Sequence, residues 1–444
     1  MVQTETNHMK KPLSCALLIT LLVSASILVF ATSFGVVQAS AEVTGIIGSD
    51  TTWTKANSPY SLTGPVGVSS GVTLTIEHGV TVNSYGHYIQ VNGTLVARGS
   101  SSDPIDFGGG EIKFTELSSD WNEETGSGCI IENMVSNTII DINATSPKIA
   151  NSSVYAISIK DGSPLISGNN LNNWRNFANT GITGIIGFSV YGGSPIVSNN
   201  NITGIIIGWG SPVIFGNNIS RGSNNSNYAV INVYDGSPTI SDNDIASGTY
   251  SFSAGFLYGS QVYPGIIAEG GNVFISDNKI YDCTLGIVAE SGTIERNLIY
   301  NHTDVGIEIG NGIVQNNTVN DVKVGLKLNH SPSETTIIYN NFENCTQYRV
   351  YLDGTSSNIN ATYNWWGTAD TQAINQTIFD FTNDFTLGYV TFVPFLTEPN
   401  TEAVPSENSV IPEFSSWLLL PLFLVATFAV VAVRKKTICR NYSK

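Results

Sequence analysis

Charge is scarce in this sequence of 444 residues. Asp, Glu, Lys and Arg make up only 12% of it, about half the share found in a typical soluble protein. A disordered chain would carry more charge and fewer Ile, Val and Phe residues, so disorder is excluded. A helical protein would be richer in Leu, Ala, Glu and Lys. The composition therefore favours a β-rich fold.

Cysteine is also scarce, with five residues in the whole chain. This number is too small for a disulfide framework, and no Cys-x-x-Cys spacing occurs. Cys283 and Cys345 could pair with each other, whereas Cys129 is interpreted as a buried apolar side chain.

Basic residues are few between positions 42 and 416. Seven of the 19 basic residues and one of the 35 acidic residues lie outside this segment, which leaves 12 basic against 34 acidic residues. Such a surface repels nucleic acid and anionic lipid, so we expect no nucleic-acid partner. The negative charge could attract cations, or it could keep the protein soluble.

The first 41 residues have the features of a secretory signal peptide. Lys10 and Lys11 precede an apolar run at residues 13–37, and Ala39-Ser40-Ala41 supplies the small residues of a cleavage site. Cleavage there would make Glu42 the first residue of the mature chain. The apolar run is long, so an uncleaved signal anchor is the alternative.

The other end predicts a membrane anchor. Residues 417–433 are uncharged and mostly apolar, and Arg434, Lys435 and Lys436 follow at once. This run is just long enough to cross a bilayer, and the basic cluster predicts that residues 437–444 are cytoplasmic. Residues 42–416 would then lie outside the cell. Residues 397–411 are predicted to be a linker.

A repeat fills the middle of the chain. The pattern Ile-x-x-Asn-x-Ile, with Val or Leu as substitutes, recurs at short spacings that match one β-helix coil of about 17–24 residues. Asn tolerates left-handed turns, and stacked amides can hydrogen-bond from coil to coil. Ser152 replaces Asn in one copy. The Asn residues predicted to form this ladder are Asn133, Asn169, Asn200, Asn217, Asn243, Asn278, Asn297, Asn317 and Asn341.

Two further patterns complete the coils. Gly-Ser-Pro turns recur at residues 162–164, 193–195, 210–212 and 236–238, between short strands that often begin with Gly. Near the end of the repeats, Asn364-Trp365-Trp366-Gly367 supplies large aromatic residues that could cover the last coil. In a strand, one indole would face the core and the other would face outward.

These strings together resemble right-handed parallel β-helix repeat proteins of the pectin-lyase-like superfamily, archaeal and bacterial cell-surface members above all. The motif Pro412-Glu413-Phe414 before the apolar run resembles archaeal anchoring tails. That resemblance implies either a retained transmembrane helix or cleavage by a sortase-like enzyme with addition of a lipid. We therefore expect an all-β fold, a right-handed parallel β-helix of roughly ten to thirteen coils with capped ends, followed by a transmembrane helix.

The expected organisation follows from these patterns. It comprises residues 1–41 as signal peptide, 42–128 as N-terminal cap and first coils, 129–362 as ladder repeats, 363–396 as C-terminal aromatic cap, 397–411 as linker, 412–436 as anchoring motif, transmembrane helix and basic stop, and 437–444 as cytoplasmic tail.

Two sets of polar residues are candidates for chemistry. Asp242, Asp277 and Arg296 each precede a ladder Asn, so stacking would bring two carboxylates beside a guanidinium. β-Helix polysaccharide lyases use such sets, in which acids bind Ca²⁺ and a base abstracts a proton. Asp244 could add a calcium ligand. Glu269 and Glu290 form a second pair suited to two-carboxylate glycosidic chemistry.

Solvated ion pairs are the commoner explanation of such charges, so the sequence favours a non-enzymatic role. We expect a cell-surface β-helix with a structural, adhesive or glycan-contacting role on the envelope. Its expected partners are the membrane, surface glycans and envelope proteins. The alternative is an extracellular polysaccharide lyase or epimerase. No cofactor is expected apart from the calcium alternative. Glycan addition is predicted at Asn-x-Ser/Thr sites, of which the leading ones are Asn92, Asn143, Asn224, Asn301, Asn360 and Asn375.

Overall fold

Short strands separated by tight turns make up most of the described chain. The computed structural model describes residues 40–171, 187–221, 229–247, 263–329 and 335–406. Within these residues, 37 strands form one continuous hydrogen-bonded system. Neighbouring strands run parallel, each pairing with the strand one coil later. The helical segments described are a 3-10 turn at Lys55–Asn57 and the short helix α1 at Thr371–Asn375.

The strands fall into three faces, named here A, B and C, which the chain visits in the order B, C, A in every coil. Face A consists of β2 Thr51–Trp53, β4 Thr73–Ile76, β7 Thr94–Arg98, β10 Ile130–Glu132, β13 Lys148–Ala150, β15 Leu165–Ser167, β18 Ile196–Ser198, β21 Val213–Phe215, β24 Thr239–Ser241, β27 Val273–Ser276, the second parts of β29 Leu285–Glu295 and β31 Val305–Gln315, β33 Thr336–Ile338, β35 Ile359–Asn360 and β37 Val390–Thr391.

Face B follows face A across a tight turn, which is called the ladder turn below. It consists of the first parts of β1 Ala41–Ile47 and β3 Tyr60–Val68, then β5 Thr81–Asn83, β8 Ile105–Phe107, β11 Met134–Ser136, β16 Asn170–Leu171, β19 Asn201–Thr203, β22 Asn218–Ser220, β25 Asp244–Ala246, β28 Lys279–Tyr281, β30 Leu298–Tyr300 and the first parts of β32 Thr318–Asn329 and β34 Asn341–Asp353.

Face C completes each coil. It consists of the second parts of β1 and β3, then β6 Tyr88–Val91, β9 Glu111–Phe114, β12 Ile139–Ile142, β14 Ala156–Ile159, β17 Phe188–Val190, β20 Ile205–Ile207, β23 Ile231–Val233, β26 Pro264–Ala268, the first parts of β29 and β31, the second parts of β32 and β34, and β36 Ile378–Phe379. The Gly-Ser-Pro turns connect face C to face A.

The core runs along the axis between the three faces. Because side chains alternate along a strand, the central residue of each short face A strand points inward and meets its counterpart one coil away. Ile149, Ile166, Val197 and Ile214 form such a column, and all four are fully buried. Each buried Ile or Val side chain contributes about 1.5–3 kcal/mol. This repetition explains why the sequence is rich in β-branched residues.

The ladder turn holds a continuous column of buried Asn side chains. The amide nitrogen of each donates to the amide oxygen of the next, at 3.0 Å from Asn169 to Asn200 and at 3.0 Å from Asn278 to Asn297. The same oxygen also accepts the backbone N–H of the preceding ladder residue. Ser152 occupies the position before Asn169. The column comprises Asn169, Asn200, Asn217, Asn243, Asn278, Asn297, Asn317, Asn340 and Asn364.

Two predicted ladder residues are wrong. Asn340 occupies the ladder position, and Asn341 begins β34 instead. Asn133 lies one residue before the ladder column. Its neighbour Met134 holds the ladder position and is aligned with Ser152. The left-handed conformation also belongs to the residue before each ladder Asn, as at Asn199 with φ 56° and Asp277 with φ 58°. The ladder Asn is therefore selected for its amide hydrogen bonds.

The number of coils is larger than the sequence predicted. Face A contains the fifteen levels named above, against an expectation of ten to thirteen. The Asn motif is absent from β2, β4 and β7, so counting motifs missed those coils. Residues 42–128 form ordinary coils from β1 to β9, and β1 is the first level of the described stack.

The last coil is covered by aromatic side chains. Trp366 is fully buried, with its ring centroid 5.5 Å from that of Phe342 and 6.1 Å from that of Phe392. Trp365 is half-buried and bridges to Asn341 through its backbone. The helix α1 follows, and the Asp370 side chain caps it by accepting two backbone N–H groups.

The three described cysteines are free thiols. Cys283 and Cys345 each lie two residues beyond face B, at levels three coils apart. At ~4.8 Å per level the separation is roughly 14 Å, twice what a disulfide permits. The predicted pairing is therefore wrong. Cys129 is buried, and its sulfur accepts the backbone N–H of Leu95.

The predicted export and anchoring segments fall mostly outside the described residues. These are the signal peptide within residues 1–39 and the anchoring motif, transmembrane helix and tail within residues 412–444. Among the residues that are described, no helix is long and apolar enough to cross a membrane.

Candidate functional site

The ladder turn brings Asp242, Asp277 and Arg296 together. They occupy successive levels in the left-handed position before the ladder Asn, with φ of 55°, 58° and 51°. Arg296 donates from Nε and Nη2 to the two carboxylate oxygens of Asp277, each at 2.9 Å. Its Nη1 contacts the carboxylate of Glu295 at 2.7 Å. The spacing of the repeat thus predicted a genuine side-chain cluster.

The C-terminal segment closes this cluster. Residues 397–406, called the strap here, lie back along the ladder turn instead of forming a free linker, so that part of the linker prediction is wrong. The Ser406 backbone N–H and hydroxyl donate to Asp277 Oδ1 at 3.0 and 2.8 Å. The Asp277 side chain is only 7% exposed as a result.

Asn400 fixes the other end of the strap. Its backbone N–H donates to the side chain of Asn341 at 2.8 Å, and its amide nitrogen donates to Asn316 and to the Tyr339 carbonyl. Thr318 donates its hydroxyl to the Ala403 carbonyl. These contacts cover the ladder turn over several levels.

The two carboxyl groups of the cluster are shifted in opposite directions. Burial alone would raise the pKa of Asp277, yet hydrogen bonds from Arg296 and Ser406 hold it below its ordinary value. Burial and the charge of Asp277 raise the pKa of Asp242. Asp242 is therefore the easier of the two to protonate, and Asp277 stays ionised.

The three predicted calcium candidates do not form one group in the described part of the chain. Asp244 points outward at the start of β25 and hydrogen-bonds to Tyr281, whose pKa it raises to about 12. Within the described ranges, no group of three or more His, Cys, Asp or Glu side chains is placed to hold a metal ion. Asp242, Asp244 and Asp277 thus do not converge as ligands there.

The second predicted pair borders an open groove on face C. Glu269 and Glu290 occupy the same outward column on adjacent levels, and both are exposed. The groove has a volume of about 440 Å³, and its lining includes Ile267, Glu269, Val288, Glu290, Gly310 and Asn329. We call it the face C groove.

Ion pairs fix the end of the face C groove near Asn329. Lys327 lies 3.5 Å from Glu308 and 3.0 Å from Asp353, and Asn329 donates to Glu308 at 2.8 Å. Asn329, which lines the groove, is therefore held in place by its hydrogen bond to Glu308.

Three aromatic residues beside the groove were missed. Tyr191, Trp209 and Tyr234 are 37%, 57% and 42% exposed. The register of face C aligns Tyr191 and Tyr234 with Glu269 and Glu290, and Trp209 lies one residue beyond the aligned position at Gly208. Each of the three lies two or three residues before the Ser-Pro pair of a turn between face C and face A. An aromatic residue at this position in successive turns is therefore the sequence signal for this set.

The predicted glycosylation sites differ in accessibility. Asn143, Asn301, Asn360 and Asn375 are exposed. Asn92 is half-buried, and its side-chain oxygen accepts hydrogen bonds from Gln90 and Thr115. Asn224 lies outside the described residues. The first four therefore stay the better predictions.

The three stacked parallel faces define this chain as a parallel β-helix protein. Residues 220–365 match the family model described as a right-handed beta helix region. A search of curated proteins found no match, and a search of solved structures found none.

Proposed function

We propose that the protein is a cell-surface β-helix with a structural and adhesive role that contacts glycans through the face C groove. The observation that carries this proposal is the pairing of an open groove with two exposed carboxylates, Glu269 and Glu290, on adjacent levels. Carboxylates accept hydrogen bonds from sugar hydroxyl groups. The rigid stack of coils holds both groups in place without a ligand.

The second candidate function is a polysaccharide lyase or epimerase at the ladder turn. The raised pKa of Asp242 favours it, because such a group can hold and release a proton. The strap argues against this function, because Ser406 donates two hydrogen bonds to the Asp277 carboxylate and covers the ladder turn. A substrate would have to displace the strap first.

The location is also part of the proposal. The sequence features of residues 1–41 and 412–436 support export and anchoring by a membrane helix or by a lipid that replaces it. Ser406 is fixed to Asp277, and ten residues, 407–416, separate it in sequence from the apolar run that begins at Trp417. The body of the β-helix would then lie close to the membrane, where it can contact envelope glycans.

The experiment measures binding of the full-length protein, in detergent, to an array of neutral, amino-substituted and uronate polysaccharides. The test variant is Glu269→Gln with Glu290→Gln. The matched control is Glu116→Gln with Glu124→Gln, which removes two exposed carboxylates elsewhere. We expect wild type and control to bind at least one polysaccharide, and the test variant to bind it about tenfold or more weakly.

Two outcomes would contradict the proposal. Equal binding by the test and control variants would show that the face C groove does not bind the polysaccharide. Formation of unsaturated uronate product, followed by ultraviolet absorbance, would instead establish the lyase, above all if deletion of residues 397–406 increased its rate.

A further inference from the structure

An aromatic strip continues the face C groove along the stack. It consists of Tyr191, Trp209 and Tyr234 at three successive levels. The Tyr191 and Trp209 rings lie edge to face, with centroids 5.9 Å apart. Exposed aromatic residues gathered in one place on a soluble protein usually mark a binding surface. We call this set the aromatic strip.

Glycine residues leave space for two of these rings. A side chain at Gly208 would place its Cβ 2.7 Å from the Tyr191 ring, and one at Gly192 would place its Cβ 3.3 Å from the Trp209 indole nitrogen. Both rings therefore lie over backbone that has no side chain of its own. The orientation of the strip is consequently set before any ligand arrives.

The strip and the groove share one axis. Backbone hydrogen bonds connect the levels directly, from Tyr234 to the Ile207 carbonyl and from Glu269 to the Val233 carbonyl. Adjacent levels are ~4.8 Å apart, which is close to the length of one sugar ring in an extended polysaccharide. Successive rings of one chain could therefore rest on successive levels, from Tyr191 to Glu290.

The charges around the strip select against acidic ligands. Asp235, Glu269 and Glu290 contribute exposed carboxylates along it. Lys160, the cation one level before Tyr191, is paired with Asp141 at 2.8 Å. A uronate chain would bring further negative charge against these groups, which is unfavourable.

We propose that the aromatic strip and the face C groove together bind a polysaccharide chain without acidic groups, aligned with the stack axis. Sugar rings lie on Tyr191, Trp209 and Tyr234, while Glu269 and Glu290 accept hydrogen bonds from hydroxyl or ammonium groups. This inference rests on the proposed glycan-contacting function and narrows it to one ligand class and one direction of binding.

The test uses three hexasaccharide probes on the full-length protein, measured by calorimetry. The probes are a neutral β-1,4-linked glucose hexamer, a glucosamine hexamer and a galacturonate hexamer. We expect the neutral probe to bind wild type at least about tenfold more tightly than the galacturonate probe. The glucosamine probe should bind at least as tightly as the neutral one at low salt, because it adds attraction to the carboxylates.

The variants Trp209→Ala and Tyr234→Ala should each weaken binding of the neutral probe by up to about tenfold, the range of one aromatic contact. The matched control is Phe385→Ala, which removes an 80% exposed ring from the C-terminal end of the stack. Thermal unfolding of each variant, compared with wild type, shows that the fold is retained.

Each contrary result has a distinct meaning. If Trp209→Ala and Tyr234→Ala both bind the neutral probe as wild type does, the strip is not the site. If wild type binds the galacturonate probe as tightly as the neutral one, the ligand class is wrong. If polysaccharides bind the face C groove in the array but none of the hexamers bind wild type, the strip proposal fails and the broader function stands.

Discussion

Ser406 donates both its backbone N–H and its hydroxyl to the carboxylate of Asp277, which lies 129 positions earlier in the chain. The same carboxylate receives two hydrogen bonds from Arg296. A group with these partners stays ionised although it is buried. The contact therefore holds the end of the strap against the ladder turn.

The strap should be held less firmly when the side chain of Asn400 is removed. Asn400→Ala deletes the side-chain hydrogen bonds to Asn316 and the Tyr339 carbonyl. We expect a protease specific for Glu to cut faster after Glu402, because a detached strap is accessible. The free energy of unfolding of the coils should change by less than about 1 kcal/mol. Thr401→Ala, at an exposed neighbouring position, is the control. Equal cleavage rates in both variants would show that Asn400 does not hold the strap.

The ladder should be sensitive to the loss of one amide. Asn278 is fully buried, donates to Ile240, Ser276 and Asn297, and accepts from Asn243. Asn278→Ala leaves several buried groups without partners, each costing ~1–3 kcal/mol, so we expect a total loss of ~3–5 kcal/mol. Urea unfolding measures it, with the exposed Asn272→Ala in the same coil as control. A loss no larger than that of the control would contradict the structural role of the ladder.

The two adjacent tryptophans should differ in their effect on stability. Trp366→Ala removes a fully buried ring that contacts Phe342 and Phe392, at a cost of ~3–5 kcal/mol. Trp365→Ala should cost under about 1 kcal/mol, because that ring is half-buried. Thermal unfolding with light scattering compares them, and aggregation should accompany only the Trp366 variant, whose sheet end is uncovered. Small and equal effects would mean that Trp366 does not close the core.

His302 should make stability depend on pH. The ring lies between the carbonyls of Ile280 and Cys283, and burial lowers its pKa to about 4. An unfolded His titrates near 6.5, so the unfolded state binds the proton first as pH falls. The stabilising effect of the neutral ring is therefore fully present above about pH 6.5 and declines towards pH 4, by an amount on the order of 3 kcal/mol.

The measurement for His302 is urea unfolding of wild type and His302→Gln at pH 7 and pH 4.5. The difference between the two proteins isolates the histidine from the carboxyl groups that also titrate in acid. We expect wild type to lose more stability than the variant over this range. Parallel losses in both proteins would show that the ring titrates normally in the folded state.

The fold could be predicted from sequence because its determinants are local to each coil. The Ile-x-x-Asn-x-Ile pattern contains both the inward residue of face A and the ladder Asn, as at Ile275 and Asn278. The errors at Asn133 and Asn341 arose because neighbouring residues also fit the pattern when it is shifted by one position. Ile131, rather than Ile130, pairs with the inward-facing Ile149. Only the identity of the inward-facing residue decides between the two alignments of the pattern.

The candidate sites were predicted in part, for the same reason. Glu269 and Glu290 lie nine and seven positions before Asn278 and Asn297, so their pairing depends on the register of face C. The Asp242, Asp277 and Arg296 column follows from equal spacing to the ladder Asn. The strap does not, because it has no repeat and contacts residues 59 and 129 positions away. Its covering of Asp277, which weakens the lyase alternative, therefore emerges only from the tertiary structure.

The parallel stacking of the coils makes length an adjustable property of this molecule. Each coil contacts mainly the coil before it and the coil after it, so insertion or loss of a whole coil leaves the remaining pairings intact. Every added coil would lengthen the body by ~4.8 Å. Related β-helix proteins could therefore tune how far they extend by duplicating a segment of about twenty residues, without redesigning either end.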